Sequence, residues 1–599
     1  MKNQEIAQAF ERAADILALL DENTFRVLAL RKVGRAVDEM ATPIEQLAAE
    51  GGLEAVPGIG KSSAERIREY LRGGRIAEFD DIAAQVPAGV LAIMKIPTVG
   101  PKTAALLWKE GGITTVEALL KEIDLGEKSA LLKIKGLGAK KLSKMKENLA
   151  HLAASSGRIR IGEALPIALE LSELLRGLPG VQAVQYCGSL RRGKETIGDI
   201  DIAVAAPVDK GQAIGDAVTA HPMCGSVIVS GETKTSFRTS AGVQVDVRVV
   251  PPESFGAAVQ YFTGSKEHNV KLRELAIKKG LKVNEWGVFK TVGGKEEKIA
   301  GETEEGVYAA LGLAWIPPEM REDHGEIDWA AERAATGKRP MPEAKRKDDF
   351  VTLTDIRGDL HMHTTASDGT RSIEEMVAEA KRRGYQYMAI TDHSKSQIQA
   401  NGLKTDRLLE HIKAIRAAAQ EAVKSGMLVL AGTEVDILAD GSLDYEDDLL
   451  APLDWVIASP HSALTQETEP ATQRLVKAAA NPYVCVLGHP TGRLIPSRRG
   501  LEPDMAKVIF AAARHGVALE LNAHYFRLDL RDIHARMAVE AKVPLCINTD
   551  AHVLADFDMM KYGILTARRA WATPADVLNA WPVEKFKKWL KERKEMAAW

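Results

Sequence analysis

Cysteine is nearly absent from this chain: Cys187, Cys224, Cys485 and Cys546 are the four in 599 residues, and no two of them form a CxxC pair. That count and spacing exclude a disulfide framework and a cysteine-rich zinc module. Long apolar runs are missing too: none approaches the ~20 residues that span a bilayer. The first residues, MKNQEIAQAF, have no apolar core of the secretory kind. The expectation is a cytoplasmic protein with no membrane contact. Charge of one sign is also in short supply. A formal net charge of −3 rules out a uniformly basic coat but leaves room for a local phosphate-binding stripe. A chain of 599 residues can hold three to five domains, each burying its own core.

What is present in abundance is a recurrence in the C-terminal part. Seven short apolar runs, at 359–364, 388–394, 429–436, 455–462, 484–490, 518–524 and 546–552, finish in side chains of metal-ligand type. Buried strands read as such runs, and helical stretches lie between most of them, so the pattern predicts a parallel α/β barrel with its chemistry at the C-terminal rim. The rim residues are His361, His363, Asp368, His393, Glu434, His461, His489, Asp550 and His552. Imidazole favours zinc, manganese or iron and carboxylates can bridge, so these nine could hold two or three divalent ions. A lone histidine is more often a surface or satisfied core residue. Six of the 14 histidines gathered at strand ends, in HxH, DH, PH, HP and DAH contexts, argue for ligation.

The N-terminal part carries three loops of one type: Val56-Pro57-Gly58-Ile59-Gly60-Lys61, Ile96-Pro97-Thr98-Val99-Gly100-Pro101-Lys102 and Lys135-Gly136-Leu137-Gly138-Ala139-Lys140. Each leads into a helical pattern and has a lysine beside it. Such a hairpin lets backbone N–H groups approach a phosphate at a helix N-terminus. One GxG is ordinarily just a helix connection, and Thr98 makes the second copy the weakest. Three together, with seven lysines and no acid between Lys128 and Lys146, resemble helix-hairpin-helix (HhH) binders of the DNA backbone. The DNA-contacting residues would be Gly58, Gly60, Lys61, Gly100, Lys102, Gly136, Gly138 and Lys140.

Between these parts lies a third constellation. Gly188-Ser189-Leu190-Arg191-Arg192-Gly193 precedes Gly198-Asp199-Ile200-Asp201-Ile202, and alternation in a strand puts Asp199 and Asp201 on one face. Asp246 sits in a second alternating run, 243–250, able to pair with the first. Three acids so placed suit two Mg²⁺ or Mn²⁺ ions and in-line nucleotidyl transfer. An isolated DxD would more often be a surface strand, but the upstream Gly-Ser turn changes that weighting.

Gly-Ser followed by DxD and a distant Asp resembles the nucleotidyltransferase superfamily, and Tyr261-Phe262-Thr263-Gly264-Ser265 narrows the resemblance to the family X DNA polymerases. It covers roughly residues 1–320. It implies that Asp199, Asp201 and Asp246 are catalytic and metal-binding, and that Gly188, Ser189 and Arg192 meet the triphosphate of a dNTP. Tyr261, Phe262 and Gly264 would line the sugar pocket, and Asn269 would touch the base edge. Arg66 stands where the animal repair polymerase of this family has its Schiff-base lysine. A guanidinium that stays protonated is a poor nucleophile, which argues against lyase activity. Lys266 and Gln244 also depart from that enzyme without touching the acids.

The order and spacing of the barrel ligands resemble the polymerase and histidinol phosphatase (PHP) domain over about 355–575. By that resemblance His361, His363, Glu434 and Asp550 would hold one metal, Glu434, His461 and His489 a second, and Asp368, His393 and His552 a third. The ions would be Mn²⁺, Zn²⁺ or Fe²⁺. Glu520, Asn522 and His524 have no ligand role in the resemblance and are expected in a supporting shell or at the substrate.

The expected fold is multidomain: α-helical HhH N-terminal domains, an α+β nucleotidyltransferase palm and thumb, and a C-terminal α/β distorted (β/α)7 PHP barrel. The expected boundaries are 1–78 for the first helical domain, 79–155 for a fingers-like domain, 156–255 for the palm, 256–320 for the thumb, 321–350 for a linker that includes Lys338-Arg339-Pro340-Met341-Pro342, and 351–599 for the barrel. The expected activity is short-gap filling in base-excision or end-joining repair, with a 3′-to-5′ exonuclease and abasic-site cleavage in the barrel. The partners would be gapped or nicked double-stranded DNA and dNTPs, and the chain a monomer. Two other classes stay open: a PHP small-molecule phosphoesterase fused to a DNA-binding module, and a non-catalytic DNA-end scaffold.

Overall fold

The computed structural model describes residues 2–38, 44–49, 51–56, 58–94, 96, 99–143, 145–146, 149, 157–293, 295–336, 348–424 and 426–597. Pro57, Pro97 and Thr98 of the hairpins, and the run 338–342, lie outside the described residues. The chain divides into two compact units, Met1–Ser156 and the larger Gly157–Ile495 with Arg499–Trp599.

The first unit is helical. Its opening helix, Lys2–Leu19, buries Ile6, Phe10, Ala13 and Leu17, spaced three and four apart so that they share one face. Phe10 meets Phe79 edge-on, ring centroids 5.0 Å apart. One continuous core therefore crosses the expected boundary at residue 78 and runs on through Ile93, Leu107 and Leu137 to Met145.

In the second unit a palm sheet comes first. Its strands are β2 (Ala183–Tyr186), β4 (Asp199–Ala205), β5 (Cys224–Ser230), β6 (Lys234–Thr239) and β7 (Gln244–Val250), in the order β2-β4-β7-β6-β5; short β1 (Ile159–Arg160) and β3 (Thr196–Ile197) pair beside it. Only β4 and β7 run parallel, which brings Asp201 opposite Asp246. The helices Phe255–Thr263 and Lys266–Lys278 follow, then an antiparallel sheet of β8 (Leu281–Asn284), β9 (Gly287–Val292) and β10 (Lys295–Ala300).

The expected linker is corrected in its described part. Glu326–Thr336 is a helix whose Ile327 and Ala330 are buried with Phe350, and Arg321 is fully buried, giving a hydrogen bond to Ile316 O. Apolar residues three apart gave this polar stretch a core-facing stripe that its average composition conceals.

The last 240-odd residues form the barrel. Its strands are β11 (Gly358–Asp359), β12 (Tyr387–Ile390), β13 (Leu428–Asp436), β14 (Trp455–Ser459), β15 (Val486–Leu487), β16 (Ala518–Asn522) and β17 (Leu545–Asn548), each parallel to the next in chain order. A parallel bridge between Met362 and Ala551 brings the first strand to the last. Alternate residues of each strand serve two cores, as the pleat dictates. Tyr387, Ala389, Trp455 and Ile457 join Phe586 of the terminal helix Val583–Ala597, while Met388, Ile390, Val456 and Ala458 pack with the surrounding helices. Among the described residues no helix is long and apolar enough to cross a membrane.

Candidate active sites and DNA-binding hairpins

The three N-terminal loops fold alike. Ile59 N donates to Val56 O at 3.0 Å, Val99 N to Ile96 O at 2.9 Å and Leu137 N to Ile134 O at 3.0 Å. Ile59, Val99 and Leu137 each bury an apolar plug under the turn. Gly60, Gly100 and Gly138 then start the next helical turn, accepting from Ala64 N, Ala104 N and Leu142 N at 2.9, 3.0 and 3.1 Å. Gly58 and Gly136 have φ of +102° and +98°, a conformation that excludes a side chain at low cost. Lys61 and Lys140 flank the first and third turns and are exposed, and Lys102 follows Gly100 and Pro101 at the second. Arg66 is committed: its Nε and Nη2 donate to the two oxygens of Glu78 at 2.6 and 3.1 Å, holding that carboxyl below its ordinary range.

The palm acids meet through strand register. Asp199 and Asp201 share one face of β4, and Asp246 lies opposite Asp201 on β7. Burial, then the charges of Asp199 and Asp246, push the Asp201 carboxyl up to about 7. For Asp246 burial works the same way, but hydrogen bonds from Ser236, Lys234 and Gln244 bring its carboxyl below the ordinary value. Lys234 Nζ is 2.9 Å from Asp246 Oδ2 and Gln244 Nε2 is 3.2 Å from Oδ1. A carboxylate cluster that cannot ionise fully by itself fits divalent cations. Gly188, with φ +63°, leaves room for it: a Cβ there would come within 2.5 Å of Asp201 Oδ2.

Ser189 sits in the short helix Gly188–Arg191 and Arg192 caps it. Arg192 donates from Nε to Glu322 Oε1 at 2.9 Å and from Nη1 to Thr263 O at 2.8 Å. Tyr261 and Phe262 stand edge-to-face at 5.3 Å, and the Arg248 guanidinium lies 4.8 Å from the Phe262 ring centre. Asn269 fastens their turn, donating from Nδ2 to Tyr261 O at 2.7 Å and to Gly264 O at 3.3 Å. At Gly264 a Cβ would be 2.6 Å from Asn269 Oδ1, so a side chain there would have to displace the Asn269 amide.

At the barrel rim all nine expected residues converge. Ligand atoms lying within 4.8 Å of one another form four overlapping groups: His363, Asp368, His393 and His552; His361, His489 and Asp550; His361, His363 and Glu434; and His393, Glu434 and His461. Glu434 is the hub. Its Oε1 lies 2.9 Å from His489 Nε2 and 3.4 Å from the Nε2 atoms of His361 and His461, and its Oε2 lies 2.8 Å from His393 Nδ1 and 3.6 Å from His363 Nε2. Yet Glu434 Oε1 and Oε2, His361 Nε2, His393 Nδ1 and His489 Nε2 are buried with no hydrogen-bond partner. Burial of such polar atoms unpaired is costly, and cations that they share would remove the cost. The donor set, five imidazoles around one carboxylate, fits transition-metal ions. Burial and the neighbouring His552 and His393 lower the His363 imidazole to about 4; burial opposes it, but Glu434 and Asp436 lift His461 to about 9.

A supporting shell surrounds these residues. Glu520 Oε1 meets His361 Nδ1 at 2.7 Å and accepts from Asn548 at 2.9 Å, while Oε2 accepts from His489 N at 2.7 Å. Asn522 donates to Asp550 at 3.0 Å. His524, the third expected member, stacks on Phe526 at 4.9 Å. Sequence reasoning missed Asp436, which holds His461 Nδ1 at 2.6 Å, and Asp392, which accepts from Thr364 and Ser367 and pairs with His411 at 2.7 Å. Asp436 was findable, since it lies two residues beyond Glu434 on the same face of β13. His411 lies on a helix with no signal of its own.

Comparison with known proteins agrees with this geometry. The families described as helix-hairpin-helix domain, SAM-like helix-hairpin-helix tandem, DNA polymerase beta thumb and PHP domain match residues 1–76, 90–150, 258–322 and 359–524. The chain is 37% identical over 593 residues to the DNA polymerase/3′-5′ exonuclease PolX of Bacillus subtilis, covering 99% of this chain and all of that one. DNA polymerase lambda of Rattus norvegicus is 26% identical over 292 residues, 45% of this chain and 48% of its own. A probable phosphatase of Acetivibrio thermocellus is 30% identical over 247 residues, 40% of this chain and 96% of its own. With near-complete coverage of a full-length relative, and thumb, hairpin and barrel each matched separately, the chain belongs to the bacterial family X DNA polymerases that carry a C-terminal PHP domain.

Proposed function

We propose that the chain is a DNA-directed DNA polymerase that fills short gaps during repair and trims 3′ ends with a metal-dependent 3′-to-5′ exonuclease in its barrel. The observation that carries it is the coexistence of two complete constellations: Asp199, Asp201 and Asp246 brought together by the β4–β7 register, and nine ligand-type side chains converging at the barrel rim. Bound divalent cations, Mg²⁺ or Mn²⁺ at the palm and Mn²⁺, Zn²⁺ or Fe²⁺ at the barrel, would supply the charge that activates the attacking oxygen and steadies the leaving one.

The chain's own residues do the rest. Asp199, Asp201 and Asp246 would hold the palm cations, and the Gly188–Ser189 turn, with the Arg192 guanidinium, binds the triphosphate. Tyr261, Phe262 and Gly264 wall the sugar, their backbone excluding a 2′-hydroxyl, and Asn269 keeps that wall in place while reading the base edge. In the barrel Glu434, His361, His363, His393, His461, His489, Asp368, Asp550 and His552 would hold the cations, and Glu520 and Asp436 hold ring orientations. The three hairpins, through Gly58, Gly60, Lys61, Gly100, Lys102, Gly136, Gly138 and Lys140, grip the phosphates of gapped or nicked DNA without reading sequence. The protein acts as a monomer. Arg66, paired to Glu78, supplies no Schiff-base nucleophile.

The test is a 5′-labelled primer on one-nucleotide-gapped DNA with Mn²⁺ and dNTPs. Asp246→Ala abolishes extension and keeps shortening; His363→Ala does the reverse. If the parent neither extends nor shortens the primer, the reading fails. The probable-phosphatase relative matches 40% of this chain, so a soluble phosphomonoester turned over in preference to DNA would favour the phosphoesterase reading.

A further inference from the structure

Loop 192–195 joins the helix that carries Ser189 to the strands that carry Asp199 and Asp201, and side chains of the barrel domain hold it at three points. Arg569 Nη1 donates to Arg192 O at 2.9 Å and to Glu322 Oε1 at 3.0 Å, while its Nε donates to Asp532 Oδ2 at 2.8 Å. Leu565 covers Gly193, where φ is +67° and a Cβ would lie 3.0 Å from Leu565 Cβ. Arg493 Nη2 donates to Glu195 Oε2 at 2.6 Å and also to Leu528 O. Arg569 and Arg493 are 4% and 3% exposed, and Glu322 is 13% exposed, so the Arg569 pair is shielded from water, whereas Glu195 at 39% lies at the edge.

The Glu322 carboxylate stands between two guanidinia. Its Oε1 accepts from Arg192 of the nucleotide site and from Arg569 of the barrel, with Lys194 Nζ 3.8 Å away. We infer that the barrel domain is a working part of the polymerase's nucleotide site, with Arg569 positioning Arg192 and loop 192–195 for the triphosphate of the incoming dNTP. The physical reason is charge balance. While Arg569 neutralises part of Glu322, Arg192 is aimed by the carboxylate without being captured by it, and can turn to a triphosphate. Without Arg569, the half-buried carboxylate is left mainly to Arg192 and holds it more tightly, because an opposite charge at hydrogen-bond distance attracts strongly in a site shielded from water. The role is separate from hydrolysis at the rim, and it rests on the functional reading above.

The test is steady-state gap filling with the full chain, varying one dNTP, for the parent, Arg569→Gln, Arg569→Lys and the double variant Arg569→Gln with Glu322→Gln. Shortening of a single-stranded primer and the thermal midpoint are measured alongside. Arg569→Gln should raise KM for the dNTP about tenfold with kcat changed less than about twofold. Arg569→Lys should fall between it and the parent. The double variant should return KM towards the parent, since the captured guanidinium is released, which a merely structural role would not produce. Primer shortening should stay within about twofold of the parent throughout. A KM for Arg569→Gln within about twofold of the parent overturns the inference, as does a joint fall of both activities with the thermal midpoint. A parent that fills no gap sinks the functional reading itself, a different failure.

Discussion

In the palm Asp199 is exposed, Asp201 half-buried and Asp246 buried, whereas Glu434 of the barrel is fully buried among five histidines. The palm site is poor in ligands and rich in like charge. The barrel site is rich in ligands of both kinds, and His361 and His461 are backed by Glu520 and Asp436. The first arrangement suits cations that arrive and leave with a nucleotide; the second suits resident ions around which the rim is built. One chain thus contains two acid-bearing centres that differ in burial and in the number of ligand-type side chains.

The strongest way to break that comparison is Glu434→Ala. Losing the hub should lower primer shortening by about a thousandfold or more and strip bound metal, leaving gap filling near the parent's; equal loss of both activities would deny the sites their independence. Metal removal comes next. Dialysis against a chelator should abolish extension reversibly, with Mg²⁺ restoring it at once. Stripping the barrel should in addition lower the thermal midpoint by about 5 °C, because ions bound only by the folded state stabilise it. Calorimetry with elemental analysis reads both.

The Asp201 carboxyl sharpens the contrast through pH. Its folded value of about 7 lies above the ordinary 3.8, so between those values the folded chain keeps a proton that the unfolded chain has released. Stability therefore falls as pH rises through that window and stays level above it. Metal-free Asp201→Asn should melt with the parent at pH ~4 and above it at pH ~8, while Mg²⁺ should raise the midpoint of the parent only. The smallest effect belongs to the hairpins. Lys61→Ala should weaken DNA binding and reduce the slope of log affinity against log salt by about one, at unchanged sequence preference; an unchanged slope would remove Lys61 from the phosphate contacts.

The hairpins were legible because a turn with φ near +100° demands glycine and leaves it in the sequence at Gly58 and Gly136. The palm acids were legible because alternation in a strand is a two-residue period that survives in DxD. The barrel was legible because each buried strand is a continuous apolar run, and all but β16 lead into one of the nine ligand-type residues. The helix Glu326–Thr336 was hidden by a polar composition, although Ile327 and Ala330 marked its inner face. Asp392 and His411 were hidden because their role depends on a helix packing back over a strand, 19 residues on.

By itself the sequence determined the kinds of element and the chemistry available to each, since backbone conformation at glycine, strand period and ligand type are local properties. Only the tertiary structure decided which side chains share a centre. Asp246 reaches Asp201 through strand register, and Glu434 gathers histidines from the ends of strands up to two positions away on either side. Likewise Arg569 meets Arg192 from 377 residues away, because long-range packing, which no local pattern encodes, set the palm against the barrel.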